Sequence, residues 1–254
     1  MKLTIIGCSG SYAGSYGAAS CYLVEHDGAA VVLDMGNGSL GPLAHHRDLY
    51  DLDAIVLSHL HLDHIADIGG LYVARKYRPT GTPPKLPIYG PASTADRLGR
   101  MYAADPDEHD LRDSFDFTAF TPDTFEVGPF TLSVAPAAHP VDAFSVKISA
   151  GGSTLVYSGD TGPTQNLIDL AKGADVLLAE ASCLEGRPNP PDLHLTARDA
   201  VEHGVRADVQ TIVLTHLVPW NSIDDTIAEA TAARAELGFD GDLHLAHSGL
   251  SVEF

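Results

Sequence analysis

The sequence predicts an α/β fold: two mixed β-sheets packed face to face, with helices on their outer sides. Three observations lead there. The first half is rich in short strand patterns divided by Gly/Ser turns, whereas the second half alternates strands with helices. The run Ala54–Ser58 is almost continuously apolar, the mark of a strand covered on both faces. No repeat, low-complexity tract or linker interrupts the 254 residues, so residues 1–254 are expected to form one domain.

In order, Leu3–Ile6, Cys21–Glu25 and Ala30–Asp34 read as strands separated by turn-rich segments at Gly7–Gly17 and His26–Gly28. After Ala54–Ser58, a helix is expected from Asp63 to Tyr77, ended by Pro79. Pro87–Tyr89 reads as a short strand and Ser93–Ala103 as a helix. Residues 104–124 carry seven acids and read as a solvated surface segment. Phe130–Ala137, Ala143–Ile148 and Ser153–Tyr157 look like an antiparallel run. Strands at Asp175–Ala179, Thr211–Thr215 and Asp242–Leu245 then alternate with helices at Thr164–Lys172, Thr196–Val205 and Ile223–Leu237.

A net charge of −19 argues against a protein whose main partner is nucleic acid, because its mean field repels polyanions. A small anion can still bind where a metal reverses that field locally. Cys8, Cys21 and Cys183 form no CxxC pair, and a sparse, odd set fits a reducing compartment. No apolar run approaches the roughly 20 residues that span a bilayer. Seven residues before Cys8 are too few for a signal-peptide h-region, so the start reads as a strand and the expected location is cytoplasmic.

The informative segment is Ser58-His59-Leu60-His61-Leu62-Asp63-His64. In an extended stretch, positions two apart share a face, so His59 and His61 can point at one metal. Asp63 and His64 fall at the start of the following helix, where they diverge and can reach a second metal. Three further strands each end at a candidate ligand: Val134–Ala138 leads into His139, Ser153–Gly159 into Asp160, and Thr211–Thr215 into His216. Ligands gathered at strand ends are where α/β folds place active sites.

The order His59-x-His61-x-Asp63-His64, His139, Asp160, His216 resembles the metallo-β-lactamase superfamily over nearly the whole chain. The resemblance implies an αββα sandwich with a binuclear metal site. His59, His61 and His139 would hold one ion; Asp63, His64 and His216 would hold the other; Asp160 would bridge them. Imidazole and carboxylate donors suit two Zn²⁺, and Mn²⁺ and Fe²⁺ accept the same donor types. Two such ions can share one hydroxide as nucleophile at neutral pH. Asp34 is a candidate acceptor for a ligand histidine, with plain turn chemistry as the other reading.

True β-lactamases of this fold put Cys where Asp160 stands, and they are exported. Asp192-Leu193-His194-Leu195-Thr196 resembles the His-x-Thr element of the ribonuclease Z group, in which the histidine assists the phosphate and leaving oxygen. Thr196 with Asp199 also makes a capping-box-like helix start. Only 21 positions separate His139 from Asp160, too few for the tRNA-gripping arm of that group. Gly7–Ser11, Tyr157–Gly162, Pro191–Leu195 and Thr215–Trp220 are similar instead to the armless bacterial cyclic-nucleotide phosphodiesterases. The resemblance implies hydrolysis of small phosphodiesters such as cAMP to 5′-AMP, with Asp63 and His194 as catalytic residues. It also implies a homodimer. Ser9, Ser11 and Thr161 are candidate phosphate donors, and Trp220 is a candidate base-stacking residue. Two other activities compete: ribonuclease Z-like RNA 3′ processing, and thioester or lactone hydrolysis on the same metal pair.

Overall fold

The structure, a computed structural model, describes residues 1–15, 17–103 and 111–254. The strands are β1 (Lys2–Ser9), β2 (Ala18–Ala19), β3 (Cys21–His26), β4 (Ala29–Leu33), β5 (Ala54–Val56), β6 (Leu86–Gly90), β7 (Phe115–Ala119), β8 (Phe125–Val127), β9 (Phe130–Pro136), β10 (Phe144–Ala150), β11 (Ser153–Tyr157), β12 (Val176–Glu180), β13 (Thr211–Thr215), β14 (Asp242–Leu245) and β15 (Ser251–Glu253). The helices are α1 (Leu40–His46), α2 (Leu62–Ile65), α3 (Ile68–Lys76), α4 (Thr94–Tyr102), α5 (Gln165–Ala171), α6 (Ala197–Ala207) and α7 (Ile223–Leu237).

The strands form two mixed sheets. One runs β15-β1-β3-β4-β5-β6-β7, with β2 beside β1; the other runs β14-β13-β12-β11-β10-β9-β8. Side-chain alternation explains why they stack. Tyr22, Val24, Val31, Leu33 and Val56 face Leu132, Val146, Ile148, Leu155, Tyr157 and Leu178 in the core between the sheets. The intervening residues Leu23, Val32 and Ile55 turn outward onto Leu43, Ile68, Leu71 and Leu98 of α1, α3 and α4. On the other side, Val156, Leu177, Ile212 and Leu214 pack on Leu167, Val201, Ala230 and Ala233 of α5, α6 and α7. Strands apolar on both faces thus require the expected helix–sheet–sheet–helix layering.

In the second sheet β11, β12, β13 and β14 run parallel, and so do β4, β5, β6 and β7 in the first. Parallel strands deliver their C-terminal ends to one edge, where the candidate ligands lie.

The structure corrects several expectations. The helix expected over 63–77 is two helices, α2 and α3. The carbonyl of His64, which would accept from Ile68 in a continuous helix, accepts instead from the Met35 N–H (2.7 Å), and the Asp67 N–H turns to the Met35 carbonyl (3.1 Å). The loop after β4 therefore interrupts the helical ladder. Within the acidic stretch, residues 104–110 lie outside the described residues. The remainder holds β7, where Phe115 points in and Asp116 points out. The seven acids had obscured that alternation. Helix α1 and the short strands β2, β8 and β15 also escaped the sequence reading, being too brief to show a period. Among the described residues, no helix is long and apolar enough to cross a membrane.

Candidate metal centre

Seven predicted residues meet at the strand ends. His59 follows β5; His61 is the N-cap of α2, with extended backbone; Asp63 and His64 lie in its first turn. His139 follows β9, Asp160 follows β11 and His216 follows β13. Their ligating atoms form two groups sharing Asp160: His59, His61, His139 and Asp160; and Asp63, His64, Asp160 and His216.

In the first group, His59 Nε2 lies 3.0 Å from His61 Nδ1, and His139 Nε2 lies 3.3 Å from the same atom. Asp160 Oδ2 is 3.6 Å from His59 Nε2. In the second, His64 Nε2 and His216 Nε2 are 3.2 Å apart. Asp63 Oδ2 is 3.1 Å from His216 Nε2, and Asp160 Oδ1 is 3.3 Å from His64 Nε2. Ligands about 2.0–2.1 Å from a shared tetrahedral centre lie roughly 3.3–3.4 Å apart, so these separations are close to the edges of such a site.

The far side of each ring fixes which nitrogen carries the proton. His64 Nδ1–H donates to Asp34 Oδ2 (2.7 Å), and His139 Nδ1–H to the Leu193 carbonyl (2.9 Å). Ser58 Oγ donates to Asp34 Oδ2 and so accepts from His59 Nδ1–H (3.1 Å). Ser182 Oγ donates to Glu180 Oε2 and accepts from His216 Nδ1–H (2.6 Å). Carboxylates and carbonyls only accept, so in the neutral rings the near nitrogens of His59, His64, His139 and His216 are lone pairs turned into the cluster. Burial lowers the His64 pKa, but Asp160 and Asp34 outweigh it and hold it well above the ordinary histidine value, so the cluster favours a positive charge at this point. Asp160 Oδ1 agrees: it is buried and has no hydrogen-bond partner among the described residues.

Charge makes the same demand. Among the described residues the buried carboxylates are Asp34, Asp63, Asp160 and Glu180, all in this cluster, and the one buried Arg or Lys, Arg75, lies elsewhere, bonding the Leu49 and Pro84 carbonyls. Buried anions need compensating charge. Glu180 has His194 beside it, and two divalent ions would offset Asp34, Asp63 and Asp160. Burial, then His64, push His59 well below the ordinary histidine value, which keeps it a neutral donor. Burial alone would raise Asp160, but His216, His64 and His59 outweigh it and hold the carboxyl well below its usual range. Burial likewise opposes ionisation of Asp63, yet the adjacent His216 and His64 outweigh it and hold the carboxyl below its usual range. The donor set therefore fits a pair of divalent cations.

Backbone geometry serves the same end. Asp34 and His216 adopt left-handed conformations (φ 55° and 53°), which short polar residues tolerate at modest cost. Asp34 is thereby turned to accept from Ser58 N–H (2.7 Å), Ser58 Oγ, His64 Nδ1 and Tyr157 OH (2.8 Å). That network supports the acceptor reading of Asp34 over a bare turn role. Gly36 lies so close to the Asp63 carbonyl that a Cβ would sit 1.9 Å from its oxygen. At Gly10 a Cβ would meet the His216 carbonyl oxygen at 2.7 Å.

His194 lies beside both groups, its ring 5.5 Å from His139 and 5.6 Å from His216 between centroids. Its Nδ1–H donates to Glu180, 3.0 Å from Oε1 and 3.1 Å from Oε2. Burial lowers its pKa, but Glu180 outweighs burial and pushes it up to about 9. Glu180 thus favours the imidazolium form of His194, whose Nε2 has no partner among the described residues. Glu180 is the residue that sequence reasoning missed. It is fully buried, accepts from Thr161 N–H (2.6 Å), and links His194 to His216 through Ser182. The strand-end pattern could have found it, since β12 ends on this glutamate. The expected cap of α6 is present: Thr196 and Asp199 form a reciprocal capping box that anchors the segment carrying His194.

The expected substrate contacts divide. Thr161 is corrected: it is fully buried, and its hydroxyl donates to the Gly162 carbonyl and accepts from Ala138 N–H, leaving nothing for a phosphate. Ser9 is also corrected, being buried with its hydroxyl donating to the Gly17 carbonyl (3.2 Å). Ser11 is exposed beside the cluster, and its N–H donates to Asp63 Oδ2 (2.7 Å). Trp220 is 64% exposed and pairs with Tyr12, 47% exposed, at 6.0 Å between ring centroids. Tyr12 carried no sequence signal, because only folding of the Gly/Ser-rich loop brings it to Trp220.

The model of the beta-lactamase superfamily domain matches residues 30–217 of this chain. An uncharacterized protein of Mycobacterium leprae is 40% identical over 255 residues, 98% of this chain and 87% of that protein. The probable metallo-hydrolase YhfI of Bacillus subtilis is 30% identical over 257 residues, covering 100% of both chains. The crystal structure of YhfI matches with a TM-score of 0.87 at 29% identity, over 99% of each chain. A ribonuclease Z of Mycobacterium bovis is 29% identical over 276 residues, 96% of this chain and 97% of that protein.

Proposed function

The chain belongs to the metallo-β-lactamase superfamily and is a metallo-hydrolase of that fold; from this footing we propose that it hydrolyses small phosphodiesters, cyclic nucleotides such as cAMP among them, on a pair of zinc ions. The observation that carries the reading is His194, a donor that buried Glu180 holds beside the histidine and carboxylate cluster and biases toward its charged form. A hydrolase of neutral esters has little use for a fixed cation beside its metals. A phosphodiester has both an anionic phosphoryl group and an alkoxide leaving group that needs a proton.

The roles follow from position. His59, His61 and His139 would hold one ion, Asp63, His64 and His216 the other, and Asp160 would bridge both. When bound, the ions would supply a water-derived nucleophile at neutral pH and offset the phosphate charge that the −19 protein repels. Asp63, kept anionic by His216 and His64, orients the attacking water and accepts its proton. His194 donates from Nε2 to the departing 3′-oxygen, so that cAMP yields 5′-AMP. Glu180 holds Nδ1–H and so keeps the donor charged and aimed. The Tyr12–Trp220 pair gives the base an aromatic platform beside Asp63 and His216; base–aromatic stacking contributes about 1–3 kcal/mol.

RNA 3′ processing is the second reading, favoured by the ribonuclease Z relative. The acidic chain and the short span between His139 and Asp160 weigh against it. One panel separates the two: 2′,3′- and 3′,5′-cyclic nucleotides, bis-p-nitrophenyl phosphate and a precursor tRNA, assayed with metal analysis on the same preparation. Cyclic-nucleotide turnover is expected. Cleavage of the precursor tRNA alone would replace this proposal with the nuclease, and metal-loaded protein inert on every phosphodiester would remove both.

A further inference from the structure

A cavity of about 1110 Å³ opens beside the cluster, and Tyr12 and Trp220 are not among its walls. His61 and His139 form part of its wall, whereas Tyr12 and Trp220 adjoin Asp63 and His216. Ligand pockets typically measure about 300–1,000 Å³, so this space exceeds what a cyclic mononucleotide already seated on the metals would fill.

Two arginines of α4, Arg97 and Arg100, line the cavity. Residues three apart on a helix share a face, with Cβ atoms about 5–6 Å apart. Both side chains are exposed. Arg47, Arg187, Arg198 and Arg206 pair with carboxylates, whereas Arg75 and Arg234 are held by backbone carbonyls and Arg78 lies over the Tyr50 ring. Among the described residues, Arg97 makes only a long contact to the Leu60 carbonyl (3.4 Å), and neither Arg97 nor Arg100 pairs with a carboxylate. Asp96 and Asp142 also line the cavity, so its charges balance overall. Attraction is then short-range and directional, which suits the guanidinium fork and its bidentate grip on phosphate.

We propose that Arg97 and Arg100 form a subsite for a second phosphate, so that the preferred substrates are phosphodiesters of dinucleotide size carrying a further phosphoryl group. This rests on the phosphodiesterase reading and narrows it. The base lies on Tyr12 and Trp220, the scissile phosphate lies on the metal cluster, and the added phosphate reaches the two guanidinium groups. A cyclic mononucleotide occupies the first two places only and is a minimal substrate.

The test compares ApA with its 5′- and 3′-phosphorylated forms, pApA and ApAp, on zinc-loaded full-length protein. All three share one scissile bond. At least one phosphorylated form is expected to show a kcat/KM about 10- to 100-fold above ApA, mainly through KM. That ratio should fall to near one in the Arg97→Gln/Arg100→Gln variant at unchanged zinc content. It should persist in Arg206→Gln, which removes a cation from the distant face of α6. Equal cleavage of all three by the wild type, or a ratio that survives the double substitution, overturns the subsite. Failure to cleave any of the three or bis-p-nitrophenyl phosphate would instead sink the phosphodiesterase reading beneath it.

Discussion

Replacing Glu180 with Gln tests whether a buried carboxylate sets the protonation of His194. The substitution keeps shape and removes charge. One donor constrains the new amide: Thr161 N–H points at Oε1 (2.6 Å) and has no other acceptor among the described residues, so the amide oxygen must sit there. The amide NH₂ then takes the Oε2 place, 2.7 Å from Ser182 Oγ. Ser182 can accept from it and donate to the His216 carbonyl at 3.0 Å, which leaves the His216 tautomer intact. His194 alone loses its counter-charge. Its pKa then falls from about 9 toward the ordinary 6.5, roughly 3 kcal/mol of lost preference for the imidazolium. A raised pKa means the charged donor is present at low pH and is lost as pH rises through that value. The alkaline limb of kcat on a nucleotide phosphodiester should therefore move down by about two and a half units in the variant. Bound dications repel the proton and lower both limbs together, so the spacing between them is the quantity to read. The deficit should grow with pH from near none at pH 5.5 to about 75-fold at pH 8.5 on the metal-free values. It should be smaller for bis-p-nitrophenyl phosphate, whose leaving group departs readily as an anion. A pH-independent drop, or limbs that coincide, would refute the coupling of Glu180 to His194.

Three further outcomes are expected. His194→Ala should lower kcat on nucleotide substrates by about 100-fold or more while metal content stays near two per chain, since general acid catalysis contributes about 10²–10⁴-fold; loss of metal would make His194 a ligand. Asp34→Asn places an amide NH₂ among four converging donors, and should weaken metal binding about 10- to 100-fold by competition against a chelator; unaltered affinity would deny Asp34 its hold on His64. Gly36→Ala should lower the melting temperature and loosen the metal, because the new Cβ strikes the Asp63 carbonyl; wild-type values for both would contradict that contact.

Much of the site was legible because its chemistry is local in the chain. Four of the seven clustered residues lie between positions 59 and 64, and an extended stretch running into a helix start is enough to split them between two ions. His139, Asp160 and His216 were legible through strand ends, since parallel strands bring their C-termini to one edge. What sequence could not give depends on tertiary hydrogen bonding. The break between α2 and α3 exists because Met35, some thirty residues upstream, takes the His64 carbonyl. Thr161 looked free in sequence but is locked under Ala138 and Gly162. Tyr12 and the arginines of α4 had no motif, because their relation to the cluster is created by the fold. Glu180 is the instructive case: its strand was recognised, but the histidine it governs lies fourteen residues onward in a separate loop.

The two cations that these seven converging side chains are placed to hold can be counted by elemental analysis of the purified, active protein, repeated after exhaustive chelation and back-titration with zinc. Close to two transition-metal ions per chain, with hydrolysis lost on stripping and regained only as the second equivalent binds, is the predicted result. Full hydrolytic activity in protein stripped of transition metals would contradict it.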